Sequence, residues 1–340
     1  MSNKKNSKEI DNALNSFNKL YEKGGIVNLG KYPRIVEKVK TKRPSFDYLT
    51  DGGIPKGRMI LIAGEPSAGK SSWSIQMADL IGEKILYIDT EATLTTDYLI
   101  DLGVDPYKFS HAIPESTEQA CNIIRREIAN YDVVIFDSIN NSASEEQLAK
   151  EAGDKTMANR AIVFSSQIPI MIGLANQHDT TLMFLSQVRD NMNKKNPYSP
   201  DKVIPGGNSL HHNSSMTVEL SRSTKKKAKD KNEMELYDTV TGRMITFKVT
   251  KNKVGSADRT IQIEFTYGKG FIEEADIAST AIRLGVIEKA GSWLKYKGES
   301  ICQGQDNLLP LLLDNPNFFE ELKQAVNKSL LQILLNEESH

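Results

Sequence analysis

The sequence predicts an α/β fold with a mostly parallel sheet, an N-terminal helix and a small α+β C-terminal domain. Three observations carry that prediction. From Arg58 to about Gln187, short apolar runs rich in β-branched residues alternate with helical stretches, as in a sheet covered on both faces. A glycine-containing segment links the first apolar run directly to the first helix of that series. After Gly270 the alternation gives way to helices around a short, turn-rich stretch.

Taken in order, residues 6–23 read as an amphipathic helix, because Ile10, Leu14, Phe17 and Tyr21 fall on one helical face and Gly24-Gly25 follows. An isolated helix of this length is marginal in water, so it needs its own core or a neighbouring subunit to pack on. A basic linker, 31–43, comes next. Strands are expected at Met59–Ala63, Ile85–Ile88, Val133–Phe136 and Thr181–Leu185. Helices are expected at Lys70–Ile81, Thr96–Leu102, Thr117–Ala129 and about Thr156–Asn176. Residues 188–208 contain three prolines and two adjacent glycines without periodicity, the composition of a long loop, which in a compact domain is functional or disordered. Strand-like segments return at Met216–Ser221, Met244–Lys251 and Thr260–Tyr267, with a polar hairpin carrying Lys225, Lys226, Lys227, Lys229 and Lys231 between the first two. Helices at Asp276–Leu284, Asp306–Leu313 and Phe318–Leu335 flank a small sheet over 289–304. The division is 1–43 for the helix and linker, 44–270 for the α/β core and 271–340 for the small domain.

Composition excludes several classes. The 340 residues are 39% hydrophobic and 26% charged, which is globular rather than disordered. Cys121 and Cys302 are the only cysteines, so there is neither a disulfide scaffold nor a zinc pattern, and a reducing, cytoplasmic setting is expected. The longest apolar stretch, 168–175, is too short to span a membrane, and the opening MSNKKNSKEID does not read as a secretory leader. The formal net charge of −1 hides a division: residues 181–260 hold 15 basic against 8 acidic side chains, an excess of seven, and the other 260 hold 28 against 36, a deficit of eight.

Gly64-Glu65-Pro66-Ser67-Ala68-Gly69-Lys70-Ser71 matches the phosphate-binding pattern G-x-x-x-x-G-K-[ST], between an apolar strand and a helix as the pattern requires. Glycines let main-chain N–H groups turn toward phosphates at a helix N-terminus, Lys70 reaches the β- and γ-phosphates, and the Ser71 hydroxyl ligates Mg²⁺. Asp137, ending a buried strand, is either a magnesium-holding carboxylate, directly or through water, or a helix cap. Glu91 either orients a water for attack on the γ-phosphorus or is a solvated acid. Gln187 either touches the γ-phosphate or is a capping amide.

Ordered matches along nearly the whole chain resemble the RecA family of DNA recombinases. They are 19–24 in the opening helix, Ser45-Phe46-Asp47-Tyr48-Leu49 and 52–58 before the phosphate loop, and Ile88-Asp89-Thr90-Glu91. They continue with Tyr98 before Leu102-Gly103-Val104-Asp105, Asp137-Ser138, Ser186-Gln187-Val188-Arg189, Gly206-Gly207-Asn208-Ser209-Leu210, Lys251-Asn252-Lys253, and 288–299. Departures are the loop reading Glu65-Pro66-Ser67-Ala68, the Lys70-Ser71-Ser72 end, and His211-His212 where a Lys-Phe pair is usual. The basic 224–238 stretch is longer than usual and the acidic tail shorter. These point to a divergent member, of phage or mobile-element type.

The resemblance implies a RecA-type P-loop NTPase core that binds ATP and Mg²⁺ through Gly64, Glu65, Pro66, Ser67, Ala68, Gly69, Lys70, Ser71 and Ser72, with Tyr98 stacked on adenine and the metal at Ser71 and Asp137. It implies Glu91 as the catalytic glutamate, Gln187 as the γ-phosphate sensor, and Lys251 and Lys253 reaching the ATP of an adjacent subunit. DNA contacts are expected from Arg160, Arg189, Lys194, Lys195, Lys202, Gly206, Gly207 and Asn208, on two loops at about 151–160 and 188–208. Lys289, Lys295 and Lys297 correspond to a duplex-gathering surface, with Trp293, Leu294 and Tyr296 read as core. The implied activity is a DNA-dependent ATPase that assembles as a helical filament on single-stranded DNA and exchanges strands with a homologous duplex, with no membrane partner. A ring-forming, helicase-like motor on the same core is the alternative.

Overall fold

A computed structural model of the chain describes residues 36–149, 157–190, 202–203, 208–227 and 240–337. The expected opening helix, most of the first loop, Lys194, Lys195, Gly206, Gly207 and the tip of the lysine hairpin lie outside them. The fold below is that of Lys38–His340, which forms one compact unit.

The described chain starts with β1 (Lys38–Val39), α1 (Pro44–Leu49) and β2 (Ile54–Pro55), where β1 and β2 pair antiparallel. The core follows as β3 (Met59–Gly64), α2 (Lys70–Ile81), β4 (Ile85–Asp89), α3 (Thr96–Asp101), β5 (Phe109–Ala112), α4 (Thr117–Glu127), β6 (Val133–Asp137), α5 (Glu145–Leu148), α6 (Met157–His178) and β7 (Thr181–Gln187). Then come a short antiparallel pair, β8 (Arg189–Asp190) with β9 (Lys202–Val203), and α7 (Asn208–Asn213), β10 (Met216–Lys227), β11 (Val240–Asn252) and β12 (Thr260–Thr266). The chain ends with α8 (Glu273–Arg283), β13 (Glu288–Ala290), β14 (Trp293–Tyr296), β15 (Glu299–Gln303), α9 (Leu308–Asp314) and α10 (Pro316–Glu337).

The eight-stranded sheet runs β12-β11-β10-β3-β7-β6-β4-β5. The six strands from β10 to β5 are parallel, and β11 and β12 add antiparallel strands on one side. Alternation within each central strand builds two cores. Ile60, Ile62, Ile85, Tyr87, Ile135 and Leu185 face α2 with Trp73 and Ile75, and Met59, Leu61, Leu86, Ile88, Phe136 and Phe184 face α4 and α6 with Ile124, Phe164 and Ile168. A third core, with Ile277, Leu294, Leu308, Leu322 and Val326, belongs to the small three-stranded sheet and its helices.

As expected, β6 ends at Asp137 and β7 at Gln187, while β4 ends at Asp89, so Thr90 and Glu91 stand just beyond the strand. Main-chain pairing continues wherever a parallel neighbour continues, whatever the side chain. The 188–208 stretch, expected to be without structure, holds the β8–β9 pair and the start of α7. β10 and β11 are also longer than their apolar runs, with Lys225, Lys226 and Lys227 paired to Arg243, Gly242 and Val240.

In open α/β sheets ligands bind beyond the carboxyl ends of the strands, where the strand order reverses. Here β3 is followed in sequence by β4 but flanked in space by β7 and β10.

Candidate nucleotide site

Register gathers the candidate residues at that end of the sheet. Gly64 is paired with Gln187 and with Leu220, and Asp89 with Asp137. The phosphate loop leaves β3 at Gly64 and enters α2 at Lys70. Its two motif glycines have separate reasons to be glycine. A Cβ on Gly64 would lie 2.5 Å from the Leu220 carbonyl oxygen of the adjacent strand. Gly69 has φ +79°, and a Cβ there would press on the rings of Phe271 at 3.1 Å and Phe265 at 3.3 Å. Phe271 also packs edge-on against Phe46 and Phe247, so the aromatic core sets the loop's floor.

Lys70 is nearly buried, 8% exposed, and its Nζ donates to the carbonyls of Gly64 (3.1 Å) and Glu65 (2.8 Å). Burial pushes its ammonium below the ordinary lysine range, against the opposing pull of Asp137 and Glu91. Ser71 Oγ donates to Asp137 Oδ2 at 2.5 Å, and the Tyr87 hydroxyl donates to the same oxygen at 2.6 Å. Burial pushes the Asp137 carboxyl up, and the two hydroxyl donors hold it back. Burial, then the charge of Asp137, drives the Tyr87 phenol well above its usual value.

Glu91 stands just beyond β4, with Oε1 accepting from Ser138 Oγ at 2.8 Å. Its backbone is fixed by Asp89, which is fully buried. The Asp89 carboxylate accepts from the main chains of Glu91 (3.0 Å), Thr93 (2.9 Å) and Leu94 (2.9 Å), and His111 Nε2 lies 3.0 Å from Oδ2. Thr90 Oγ1 donates to Ser138 O at 2.9 Å and accepts from Ser138 N at 2.9 Å, locking the ends of β4 and β6 together. Gln187 is clamped by Asn140: Asn140 Oδ1 accepts from Gln187 N (2.8 Å) and Ser186 Oγ (3.2 Å), and Asn140 Nδ2 donates to Gln187 O (3.3 Å).

Sequence reasoning misses Asp89, Asn140, Tyr87 and Arg222 as site residues in their own right. A buried strand ending in Asp before a Thr-Glu-Ala-Thr turn is a usable signal for Asp89, since such an acid accepts from turn N–H groups. Arg222, whose Nε donates to Glu65 Oε2 at 2.9 Å, is found only by knowing which strand lies beside β3.

Other expected residues are placed as follows. Tyr98 is half-buried on α3 with its hydroxyl 2.7 Å from Ser72 Oγ. Arg160, expected on the DNA, directs Nη1 to the carbonyls of Asn140 (2.6 Å) and Ser142 (3.2 Å), because α6 packs beside that turn. Arg189, Lys202 and Asn208 lie on β8, β9 and α7. Lys251 and Lys253 lie toward the opposite end of the sheet. Lys251 pairs with Thr217 and Thr217 with Leu61, so Lys251 sits about 10 Å back along the strands from Gly64 and about 10 Å to the side. There Lys251 Nζ donates to the carbonyls of His211 and His212, the latter at 3.1 Å, and Lys253 Nζ donates to His212 O at 3.0 Å. In the small sheet Leu294 and Tyr296 are buried, but Trp293 is 46% exposed, so its assignment to the core is corrected. Period-two alternation puts Leu294 and Tyr296 on one face and Trp293 on the other.

The donor set fits a nucleotide with its metal: an ammonium and a helix N-terminus for phosphates, and a hydroxyl with a carboxylate, the hard oxygen donors that Mg²⁺ takes. Among the described residues no helix is long and apolar enough to cross a membrane.

The family model described as the RecA N-terminal domain matches residues 8–272, and that of the RecA C-terminal domain matches 275–331. The chain is 31% identical to the protein RecA of Rickettsia bellii (strain RML369-C) over 335 residues, 96% of this chain and 95% of that protein. It is 28% identical to that of Campylobacter lari, over 95% and 93% of the two chains. Among solved structures, the crystal structure of the RadB recombinase is similar over 66% of this chain and 94% of its own, at 17% identity and a TM-score of 0.49. With the two family models matching consecutive stretches of it and relatives at this identity over nearly their whole length, the chain belongs to the RecA family.

Proposed function

We propose that the chain is an ATP-dependent homologous recombinase, which assembles as a helical filament on single-stranded DNA and exchanges strands with a homologous duplex. The observation that carries the reading is the division of charge between two ends of one sheet. One end carries Lys70, the Ser71–Asp137 pair, Glu91 and Gln187. The other carries Lys251 and Lys253, which are too far from their own chain's phosphate loop to serve it. A site split this way is complete only when one protomer presents its lysines to the loop of the next.

In this reading the loop N–H groups and Lys70 bind the ATP phosphates, Ser71 and Asp137 hold Mg²⁺, and Tyr98 adjoins the adenine. Bound Mg²⁺ supplies charge neutralisation on the phosphate oxygens. Glu91 takes the proton of the attacking water at a carboxylate oxygen, with Ser138 and the Asp89-held turn fixing its position. The products are ADP and phosphate. Lys251 and Lys253 of the neighbouring protomer stabilise charge on the transferring phosphoryl group. Gln187 reports the γ-phosphate to 188–208, whose Arg189, Lys202 and Asn208 lie on the chain leaving the site, with Lys194, Lys195, Gly206 and Gly207 between them in sequence. Contacts of this kind read phosphates, not sequence, and base pairing supplies specificity.

Strand exchange between homologous DNAs with ATP, with Lys70→Ala as control, tests the proposal. Exchange by the natural chain and none by the variant is the expected result. Closed rings without DNA-bound helical filaments in electron micrographs would instead favour a ring-forming motor.

A further inference from the structure

Glu65 places a carboxylate on the loop that the proposed function assigns to phosphates, where a negative charge works against binding. Sheet register brings it a cationic partner, Arg222. β10 runs parallel beside β3 with Leu220 opposite Gly64, so Arg222, two residues on, emerges on Leu220's face of the strand. That is the face covered by α2, since Leu220 and Trp73 share one core. Arg222 Nε meets Glu65 Oε2 at 2.9 Å, with the two side chains 40% and 25% exposed. The Glu65 main-chain oxygen meanwhile receives Lys70 Nζ at 2.8 Å, so one loop residue links both cations. Exposed ion pairs of this kind add little to stability, so the pair's consequence lies in the field at the loop. Arg222 is close enough for its charge to bear on the Lys70 ammonium.

We propose that Arg222 is a positioning residue for nucleotide: it neutralises Glu65 and holds that carboxylate away from the phosphate path, so that the loop presents net positive charge to ATP. This role rests on the nucleotide-site reading above and adds to it a residue on a strand outside the phosphate-loop motif. A glutamate is tolerated at this position through the arginine that register puts beside it.

Titration of the full-length protein with an N-methylanthraniloyl ATP analogue tests the role, with Arg222→Ala, Arg222→Lys, Glu65→Gln and the double variant. Arg222→Ala should bind about tenfold more weakly, because it removes the Arg222 charge that offsets the Glu65 carboxylate beside the phosphates. The loss should shrink at high KCl, as screening weakens the exposed charge. Arg222→Lys should recover most of the affinity, and adding Glu65→Gln to Arg222→Ala should restore it. In hydrolysis assays KM should rise while kcat is largely kept. Equal losses with and without Glu65→Gln would mean that Arg222 meets phosphate directly, and would overturn the proposal. Unchanged binding by Arg222→Ala would overturn it too, while leaving the nucleotide-site reading intact. A natural chain that binds no nucleotide would overturn both. Thermal unfolding without nucleotide should be alike for all variants, which separates charge from folding.

Discussion

Lys70 and Lys251 carry the same charge toward opposite ends of one sheet and are held in opposite ways. Lys70 is nearly buried, and Asp137, Glu91 and Glu65 all offset its charge. Lys251 has main-chain carbonyls as its acceptors, stands beside Lys253, and has no ion-pair partner among the described residues. Burial and then the neighbouring Lys253 push its ammonium below the ordinary lysine range. The same two lysines help to push the His211 imidazole down, after burial. One end is thus a site whose charges are balanced within the chain, and the other is a cluster of positive charge that an incoming anion would relieve. Under the proposed function, a single protomer would hold one half of the chemistry for itself and the other half for a neighbour.

That contrast is most exposed to test at the unbalanced end. Lys251→Ala with Lys253→Ala should lower DNA-stimulated ATP hydrolysis by on the order of 10³-fold or more, the scale of charge-stabilising groups supplied by a neighbour. Nucleotide binding to the isolated protomer should be unchanged, as measured by titration with a fluorescent analogue. Full hydrolysis by this variant would remove the case for a shared site. At the balanced end, Glu91→Gln keeps shape and removes the proton acceptor, so hydrolysis should fall by about 10²–10³-fold with nucleotide affinity kept. Mixing the two variants separates the ends further: interfaces that join an intact loop to intact lysines should recover some hydrolysis.

Much of this is legible in the sequence. The phosphate loop, the strand-ending Asp137, and helices such as Lys70–Ile81 follow from local spacing, and the helix appears with those bounds. What local spacing does not supply is register. Asp89 is visible only as part of a motif, although the turn N–H groups that its carboxylate accepts lie within five residues of it. Asn140 and Arg222 act on residues 47 and 157 positions away along the chain, and only the sheet order brings them there. β5, with the sequence Phe-Ser-His-Ala, escapes notice because an edge strand with little buried surface has no apolar run to reveal it. Hydrophobicity alone misplaces Trp293, although alternation with Leu294 and Tyr296 puts it outside.

Buried carboxylates extend the contrast within the balanced part of the molecule. Asp89 receives three main-chain N–H groups, whereas Asp276 on α8, 1% exposed, receives Ser45 N at 3.3 Å and Thr280 Oγ1 at 3.4 Å, with Oδ2 lacking a hydrogen-bond partner among the described residues. Burial lifts the Asp276 pKa from 3.8 to about 6. A carboxyl harder to ionise in the folded chain leaves stability intact below about pH 4, erodes it as pH rises toward 6, and leaves a constant deficit above that. Asp276→Asn should therefore gain about 1–3 kcal/mol at pH 7.5 and lose that advantage near pH 4. Thermal melts of both proteins across that range check it, and a gain independent of pH would mean that packing, not charge, sets the difference.

The smallest effect tests the clamp on Gln187. Asn140 meets both the N–H and the carbonyl of Gln187, so the end of β7 is fixed by one side chain from the turn after β6. Asn140→Ala leaves these groups to water or to nothing, at a cost of about 1 kcal/mol if water enters the half-buried site. The loss should be local, since β7 keeps its parallel ladders to β3 and β6. Hydrogen exchange at the Gln187 amide should quicken about tenfold while amides of β7 nearer Thr181 hold their rates. If exchange instead quickens along the whole strand, Asn140 supports the sheet itself. If it does not change, Gln187 is held by its strand neighbours alone, and the balanced end depends less on side-chain clamps than its geometry indicates.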